Sequence, residues 1–258
     1  MYPTLVRLGG FEVTSFGAMV AAGALLGLWI LRREALARGL PGAAADIGVW
    51  GVFGGLLGSK LLYVAEHAGQ GALIALLFDR GGLSWFGGLA GGVAAGLVAA
   101  RHRRLPWMPL LAAAAPALAI GQAVGRIGCF LVGDDYGRPT GLPWGTAFPR
   151  GLPPTLERVH PTQLYEALML AGLVALLGRW RRRGVSDARI LAAYLGLAGA
   201  GRFAIEFLRL NARVALGLSV AQWASLLLVL ASAVLAARQR SAAADSRRSV
   251  PPATRGVR

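Results

Sequence analysis

The chain has 258 residues, of which 55% are hydrophobic and 15% are charged. Soluble globular chains carry about 25% charged residues, so this composition excludes a disordered chain and argues against an ordinary cytosolic enzyme. The formal net charge is +15. Such a charge is compatible with nucleic-acid binding, but together with the high apolar content it favours a lipid bilayer as the partner, and we expect no nucleic acid.

The sequence offers little for a metal site. The single cysteine, Cys129, excludes an internal disulfide and a multi-cysteine zinc site. The three histidines, His67, His102 and His160, leave little for a metal cluster. We therefore expect neither a metal nor a cofactor.

Seven apolar segments approach the roughly 20 residues that a helix needs to cross a bilayer core of about 30 Å. The fourth segment is the shortest. The predicted spans are residues 14–31, 46–66, 83–100, 109–124, 162–178, 190–207 and 218–237. The sequence thus predicts an all-α, polytopic membrane protein with seven transmembrane helices.

Clusters of arginine follow every second predicted span. Because basic residues in short loops mark the cytoplasmic side, we expect the N-terminus outside and the C-terminus in the cytoplasm. The clusters are Arg32, Arg33 and Arg38; Arg101, Arg103 and Arg104; Arg179, Arg181, Arg182, Arg183 and Arg189; and Arg238, Arg240, Arg247, Arg248, Arg255 and Arg258.

The chain divides into a predicted membrane domain, residues 1–240, and a tail, residues 241–258. The tail is polar and rich in arginine, which predicts a disordered cytoplasmic segment. Between the fourth and fifth spans, residues 126–161 are rich in glycine and proline, and by the topology above they form an extracytoplasmic head. Small residues at four-residue spacing, as in Gly51, Gly55 and Ser59, indicate close helix packing.

Two arginines lie where an unpaired charge is costly in a bilayer. Arg126 stands at the end of the fourth span, and Arg202 lies inside the sixth, four residues before Glu206 and on the same helix face. One interpretation is a structural ion pair between Arg202 and Glu206. We favour the other, an anion site, because guanidinium groups hold a phosphate through two parallel hydrogen bonds.

A polar run, His160-Pro161-Thr162-Gln163-Leu164-Tyr165-Glu166, opens the fifth span. Pro161 suits a helix start. Gln163, Tyr165 and Glu166 place polar atoms in the first two turns, either as an interfacial cap or as hydrogen-bonding groups that orient a headgroup and a loop. Glu166 is also a candidate partner for an arginine.

Further short motifs recur along the chain in a fixed order. They are Gly81-Gly82-Leu83-Ser84 with Gly87-Gly88, Gly125-Arg126-Ile127-Gly128-Cys129-Phe130, Gly133-Asp134, Gly137-Arg138, Pro143-Trp144-Gly145, Phe148-Pro149, Gly201-Arg202-Phe203 with Glu206-Phe207 and Arg209, and Gln222 with Ser225. Together with the run that opens the fifth span, they resemble the prolipoprotein diacylglyceryl transferase family. The resemblance covers nearly the whole chain, from about Val13 to Leu235.

The resemblance implies a bacterial inner-membrane enzyme with seven spans and an extracytoplasmic head. Such an enzyme transfers a diacylglyceryl group from phosphatidylglycerol to the lipobox cysteine thiol in the signal peptide of a prolipoprotein, the first step of lipoprotein maturation. A thioether forms and glycerol phosphate leaves. The resemblance makes Arg126, Arg202, Asp134 and Glu206 the expected catalytic residues. The expected substrate-binding residues are Gly137, His160, Gln163, Tyr165, Glu166 and Lys60.

The chain departs from the family pattern at several polar positions. Phe86 stands where the family usually has a histidine, and the other changes are Cys129 for asparagine, Asp134 for glutamate, Phe16 and Ala198 for tyrosine, and Lys60 for arginine. If the histidine is the base that deprotonates the thiol, two alternatives remain. Either the arginines favour the thiolate, with His160, Asp134 or Glu206 as a surrogate base, or the chain is a phospholipid-binding paralogue that is non-catalytic or uses another acceptor. Cys129 is better interpreted as an inert packed thiol than as a self-acceptor.

Overall fold

The computed structural model of the chain describes residues 4–8, 11–69, 72–78 and 84–248. Helices dominate these residues, so the predicted helical class is confirmed, with two small antiparallel hairpins added. The elements are β1 Thr4–Leu8, β2 Phe11–Thr14, α1 Ser15–Leu36, α2 Ala44–Glu66, α3 Leu73–Phe78, α4 Trp85–His102, α5 Trp107–Val132, β3 Thr146–Phe148, β4 Thr155–Val159, α6 Thr162–Arg182, α7 Asp187–Glu206 and α8 Val220–Arg248. Gly81, Gly82 and Leu83 of the predicted motif and residues 249–258 of the predicted tail lie outside the described residues.

Each of the seven predicted spans coincides with a helix. Within the described residues, five helices are long and apolar enough to cross a membrane: Ser15–Leu36, Ala44–Glu66, Trp107–Val132, Asp187–Glu206 and Val220–Ser241. The helices at the third and fifth predicted spans, α4 and α6, fall short because five glycines dilute the apolar character of α4 and arginines fill the last turn of α6. The structure thus supports a helical membrane protein, while the count of seven spans stays a prediction.

The fourth predicted span differs most from the structure. Instead of a short segment, α5 has 26 residues and continues through Pro116 and past Arg126 into the predicted head. At about 1.5 Å per residue it is about 39 Å long, more than a bilayer core. It ends where Gly133 adopts a positive φ of 77° and its N–H donates to the Cys129 carbonyl at 2.8 Å. This left-handed glycine is a common helix stop. At the other end of the chain, α8 extends to Arg248, into the predicted tail.

The chain forms two compact units, Ala21–Gly121 in one and Met1–Val20 with Gln122–Arg258 in the other. In the unit Ala21–Gly121, α2 packs on α4 through glycines. A side chain at Gly54, Gly58 or Gly87 would overlap the backbone of the facing helix. The close helix packing predicted from the four-residue spacing is therefore confirmed, since only small residues let two backbones approach this closely.

The second unit, with Gln122–Arg258, contains α6, α7 and α8 as successive antiparallel helices. Gly196 of α7 faces Ser232 of α8, and Gly199 faces Ser225. Residue numbers rise along α7 as they fall along α8, so these two helices run antiparallel. The residues between α5 and α6 are tied to this bundle by backbone hydrogen bonds, from Gly137 N–H to the His160 carbonyl at 2.9 Å and from Arg138 N–H to the Leu208 carbonyl at 2.8 Å. The end of α5, the start of α6 and the end of α7 are thereby held together.

Candidate functional site

Three arginines and three carboxylates alternate around a closed circuit at this end of the bundle, which we name the arginine–carboxylate ring. Its members in order are Arg126, Asp135, Arg209, Glu206, Arg202 and Glu166. The two arginines predicted from the sequence are thus joined by Glu166, whose Oε2 lies 3.0 Å from Arg126 Nε and whose Oε1 lies 4.0 Å from Arg202 Nε. The ion pair between Arg202 and Glu206, which the sequence offered as the less favoured interpretation, is present, at 2.5 Å from Nη1 to Oε2.

Asp135 and Arg209 close the other side of the ring. Asp135 Oδ2 lies 2.7 Å from Arg126 Nη1, and Asp135 Oδ1 contacts Arg209 Nη2. Arg209 Nε lies 3.7 Å from Glu206 Oε2. With every member ionised the ring carries no net charge, and each charged group has a neighbour of opposite sign.

The three carboxylates differ in exposure. The side chains of Glu206 and Glu166 are 0% and 4% exposed, whereas that of Asp135 is 43% exposed. Glu206 is also held by two hydrogen bonds to Oε1, donated by Ser219 Oγ and Asn211 Nδ2, both at 2.7 Å. Asp135 is therefore the ring carboxylate with the most freedom to move toward solvent.

Local backbone geometry places Asp135. After the left-handed Gly133, Asp135 itself adopts a positive φ of 59°, a conformation that aspartate tolerates better than most residues. Its carbonyl accepts a hydrogen bond from Thr162 Oγ1 at 2.9 Å. Burial favours the neutral acid of Asp135, but Arg209 and Arg126 outweigh it and hold the pKa of this carboxyl below its usual value. Asp135 therefore stays ionised between the two guanidinium groups.

Ser219 is fixed by a capping box at the start of α8. Its Oγ accepts from Gln222 N–H at 3.3 Å, while Gln222 Oε1 accepts from Ser219 N–H at 3.1 Å. Arg213 Nη1 donates to the same Gln222 oxygen at 2.5 Å. The cap leaves the Ser219 hydroxyl hydrogen directed at Glu206, so the helix start and the ring support one another.

Some polar atoms in the ring and beside it are buried and have neither a hydrogen-bond partner nor an ion-pair contact within the described residues. They include Arg209 Nη1, Asp134 Oδ1 and Gln163 Oε1. Unmade hydrogen bonds of buried groups are costly, about 1–3 kcal/mol each and more for charged groups. Arg209 Nη1 therefore has a buried N–H donor that lacks an acceptor among the described residues.

Asp134 lies next to the ring without belonging to it. Its carbonyl accepts from Gln163 Nε2 at 2.5 Å, and burial raises the pKa of its carboxyl. The Cys129 sulfur and carboxylate oxygens of Asp134 and Asp135 lie within 4.8 Å of one another, a spacing that metal ligands can have. Arg126 Nη1, however, lies 3.9 Å from that sulfur and already places a cation there.

The remaining predicted head residues form a shell outside the ring. Tyr165 Oη accepts from Trp144 Nε1 at 2.7 Å and lies 3.3 Å from His160 Nδ1. Gly137 lies against the chain that follows α7, and a Cβ there would come within 2.5 Å of the Leu208 carbonyl oxygen. In this structure Gly137 therefore permits close backbone packing.

Lys60 and Phe86 belong to the other compact unit. Lys60 Nζ lies 5.3 Å from the centroid of the Tyr63 ring, within cation–π range. The substrate-binding role expected of Lys60 stays a prediction.

Part of this site was not predicted from the sequence. Arg209 entered the predictions only as part of a motif without a role, and no role was predicted for Asp135, Ser219 or Asn211. A usable signal existed for Ser219, because Ser-x-x-Gln before an apolar run is the pattern of a capping box. No comparable local pattern pairs Asp135 with Arg209.

The fold and the ring together define a helical protein, with several helices able to span a membrane, in which partly buried guanidinium groups converge at one end of the bundle. The sequence profile of the prolipoprotein diacylglyceryl transferase family matches residues 3–238. The chain belongs to that family.

Curated relatives carry the same name. A phosphatidylglycerol–prolipoprotein diacylglyceryl transferase of Synechococcus elongatus is 35% identical over 242 residues, which cover 88% of this chain and 83% of the relative. Transferase 1 of Streptomyces coelicolor is 35% identical over 252 residues, covering 92% and 73%. The enzyme of Clostridium tetani is 32% identical over 237 residues, covering 89% and 94%.

Proposed function

We propose that the chain transfers a diacylglyceryl group from phosphatidylglycerol to the lipobox cysteine thiol of a prolipoprotein. The names of relatives that align over nearly the whole chain support this reaction. The observation that carries it is the arginine–carboxylate ring, in which Arg126, Arg202 and Arg209 converge and Arg209 Nη1 has no hydrogen-bond partner among the described residues.

The chemistry demands cations at this place. The thiol sulfur attacks the diacylglyceryl carbon bonded to oxygen, a C–S bond forms, the C–O bond to the phosphate breaks, and the thiol proton goes to a base. The phosphodiester monoanion becomes glycerol phosphate, which gains negative charge as it leaves. Guanidinium groups preorganised toward that charge stabilise the transition state more than the ground state, which is the requirement for catalysis.

In the free enzyme, Asp135 holds the place of the lipid phosphate. Its carboxylate spans Arg126 and Arg209 as a phosphate would, and its 43% exposed side chain is free to withdraw. Phosphate binding replaces Asp135 on the two guanidinium groups. Glu166 and Glu206, which are almost fully buried, remain in place and keep the arginines oriented.

Among the three surrogate bases, the contacts favour Asp134. Glu206 accepts hydrogen bonds from Ser219, Asn211 and Arg202, so its oxygens are already occupied by donors. Asp134 has an unpartnered buried oxygen and a raised pKa, so it accepts a proton more readily than an ordinary carboxylate. With Asp134 as the base, the head still contains a proton acceptor although Phe86 stands where the family usually has a histidine.

The proposal includes seven spans in a bacterial inner membrane, with the N-terminus outside, the C-terminus in the cytoplasm and no cofactor. The ring and the arginine-rich connection between α6 and α7 lie at opposite ends of the same helices, which is the arrangement expected for an outward-facing head and a cytoplasmic basic loop. A phosphatidylglycerol headgroup and a lipobox peptide would both reach the ring from the outer surface.

The test is transfer of radiolabelled diacylglyceryl from phosphatidylglycerol to a lipobox peptide by the purified full-length chain. Arg202→Lys keeps the charge but loses the planar fork, and we expect the rate to fall by at least about 10²-fold, the size of effect seen when one transition-state donor is removed. Arg150→Lys changes an exposed head arginine and serves as the matched control. Binding of phosphatidylglycerol without any transfer by the wild-type chain would favour the non-catalytic paralogue instead.

A further inference from the structure

A cavity of about 800 Å³ lies between the end of α6, the start of α7 and the end of α8. One end is polar, with Trp180, Arg189, Gln239 and Arg240. The wall is built from alanines, Gly196 and Ser232 on α7 and α8, whose small side chains leave the space open. The Ser232 hydroxyl donates to the Ala192 carbonyl at 2.7 Å, so the wall presents no free hydroxyl hydrogen. The cavity is therefore apolar along its length and cationic at one end.

The cationic end lacks an ion-paired carboxylate among the side chains that the structure describes, which near this end of α8 extend to Ser241. Neither Arg189 nor Arg240 forms an ion pair with an acidic side chain there, whereas every arginine of the ring has at least one carboxylate partner. Gln239 Nε2 is buried and has no hydrogen-bond partner within the same residues. These donors together fit an anion with several oxygen acceptors.

The cavity is separate from the arginine–carboxylate ring. Arg189 and Arg202 are thirteen residues apart on α7, which at about 1.5 Å per residue corresponds to about 20 Å along the helix. A headgroup bound at Arg189 therefore cannot reach Arg202. Arg189 lies in the first turn of α7, and Arg202 lies near its end.

We propose that this cavity binds an anionic phospholipid, with the phosphate at Arg189 and Arg240 and an acyl chain along the small-residue wall. The charge at one end and the apolar wall match the two parts of such a lipid, and basic pockets between membrane helices commonly hold anionic headgroups. Trp180 at the polar end suits the membrane interface, where tryptophan is enriched. The bound lipid lies along the surface that α7 and α8 form together, at the end remote from the ring.

The test is native mass spectrometry of the purified full-length chain in an uncharged detergent. The probes are cardiolipin and phosphatidylcholine, and phosphatidylglycerol is avoided because it is the proposed substrate. We expect cardiolipin to bind and phosphatidylcholine to bind far more weakly. Arg189→Gln with Arg240→Gln should raise the apparent Kd for cardiolipin about 30-fold, which corresponds to about 1 kcal/mol for each arginine.

Arg238→Gln is the matched control, because Arg238 is an exposed arginine of α8 that does not line the cavity. It should leave the Kd unchanged, as should Arg202→Lys in the ring. Ala193→Leu places a larger side chain in the cavity without changing its charge and should also weaken cardiolipin binding. This variant tests the proposal if the double arginine variant cannot be purified. Equal binding of both lipids, or an unchanged Kd in the cavity variants, would overturn the proposal. Transfer activity of the double variant, measured in parallel, tests the proposed function separately.

Discussion

Replacing Asp135 with asparagine removes one negative charge from the ring and keeps the shape of the side chain. The structure predicts two opposite effects. The folded protein loses the attraction of Asp135 for Arg126 and Arg209, while phosphatidylglycerol no longer has to displace a carboxylate from those guanidinium groups. Stability should therefore fall and lipid affinity should rise.

The expected size of both effects follows from the solvent exposure of the Asp135 side chain. Ion pairs of solvent-exposed side chains contribute about 0.2–1 kcal/mol each, and Asp135 makes two of them with a side chain that is 43% exposed. We therefore expect the free energy of unfolding to fall by about 0.4–2 kcal/mol. The lipid phosphate no longer has to displace this carboxylate in the variant, so its binding free energy should become more favourable by the same amount. The Kd for phosphatidylglycerol should therefore fall by about 2- to 30-fold.

The assay is titration of the purified chain with phosphatidylglycerol, together with thermal unfolding in the same detergent. Glu157→Gln is the control, because Glu157 is an exposed acid of β4 outside the ring. Asp135 has a depressed pKa in the folded protein, so its stabilising contribution is present above the ordinary pKa of 3.8 and is lost as the pH falls through the lowered value. The difference in Tm between wild type and Asp135→Asn should be constant from pH 7 to about pH 5 and shrink only in stronger acid.

Weaker lipid binding by Asp135→Asn would refute this reasoning. It would mean that Asp135 helps to hold the substrate in the ring. A Tm difference that disappears between pH 7 and pH 5 would equally contradict a carboxylate whose pKa is depressed.

Three further outcomes are expected. Asp134→Asn should reduce the transfer rate by about 10²- to 10⁴-fold, the usual contribution of a general base. The residual rate should rise with pH toward the thiol pKa of about 8.5. A flat pH profile would exclude Asp134 as the proton acceptor, and His160→Gln is the comparison variant. Gly137→Ala should destabilise the head by about 1–3 kcal/mol, because the added methyl group overpacks against the Leu208 carbonyl. The effect is measured as a fall in Tm. An unchanged Tm would show that the backbone shifts to accommodate the methyl group. Glu206→Gln should cost stability near the lower end of about 3–5 kcal/mol, because the Arg202 partner is 20% exposed; a more stable variant would show that the desolvation of Glu206 outweighs its pairing.

Much of the helical framework was predictable because apolar length and periodicity are local properties. The pair of Arg202 and Glu206 was predictable for the same reason, since a spacing of four places two residues on one helix face. The fourth span was predicted to end at residue 124, yet α5 runs on to Val132 and ends only at the left-handed Gly133. Tertiary packing overrode local propensity there.

The ring as a whole was not predictable, because its closure depends on contacts between distant parts of the chain. Asp135 reaches Arg126 and Arg209 only through two positive φ angles, at Gly133 and at Asp135 itself. Arg209 comes into place because the strand-like segment after α7 pairs with Gly137. Neither the hairpin β3–β4 nor this pairing has a hydrophobic period long enough to be recognised in the sequence.

The most direct test of the central claim is an experimental structure of the full-length chain with phosphatidylglycerol bound in a nanodisc. We expect the lipid phosphate within hydrogen-bond distance of Arg126 and Arg209, with the Asp135 carboxylate withdrawn and Glu166 and Glu206 still paired with their arginines. A phosphate bound elsewhere, with Asp135 still between the two guanidinium groups, would contradict it.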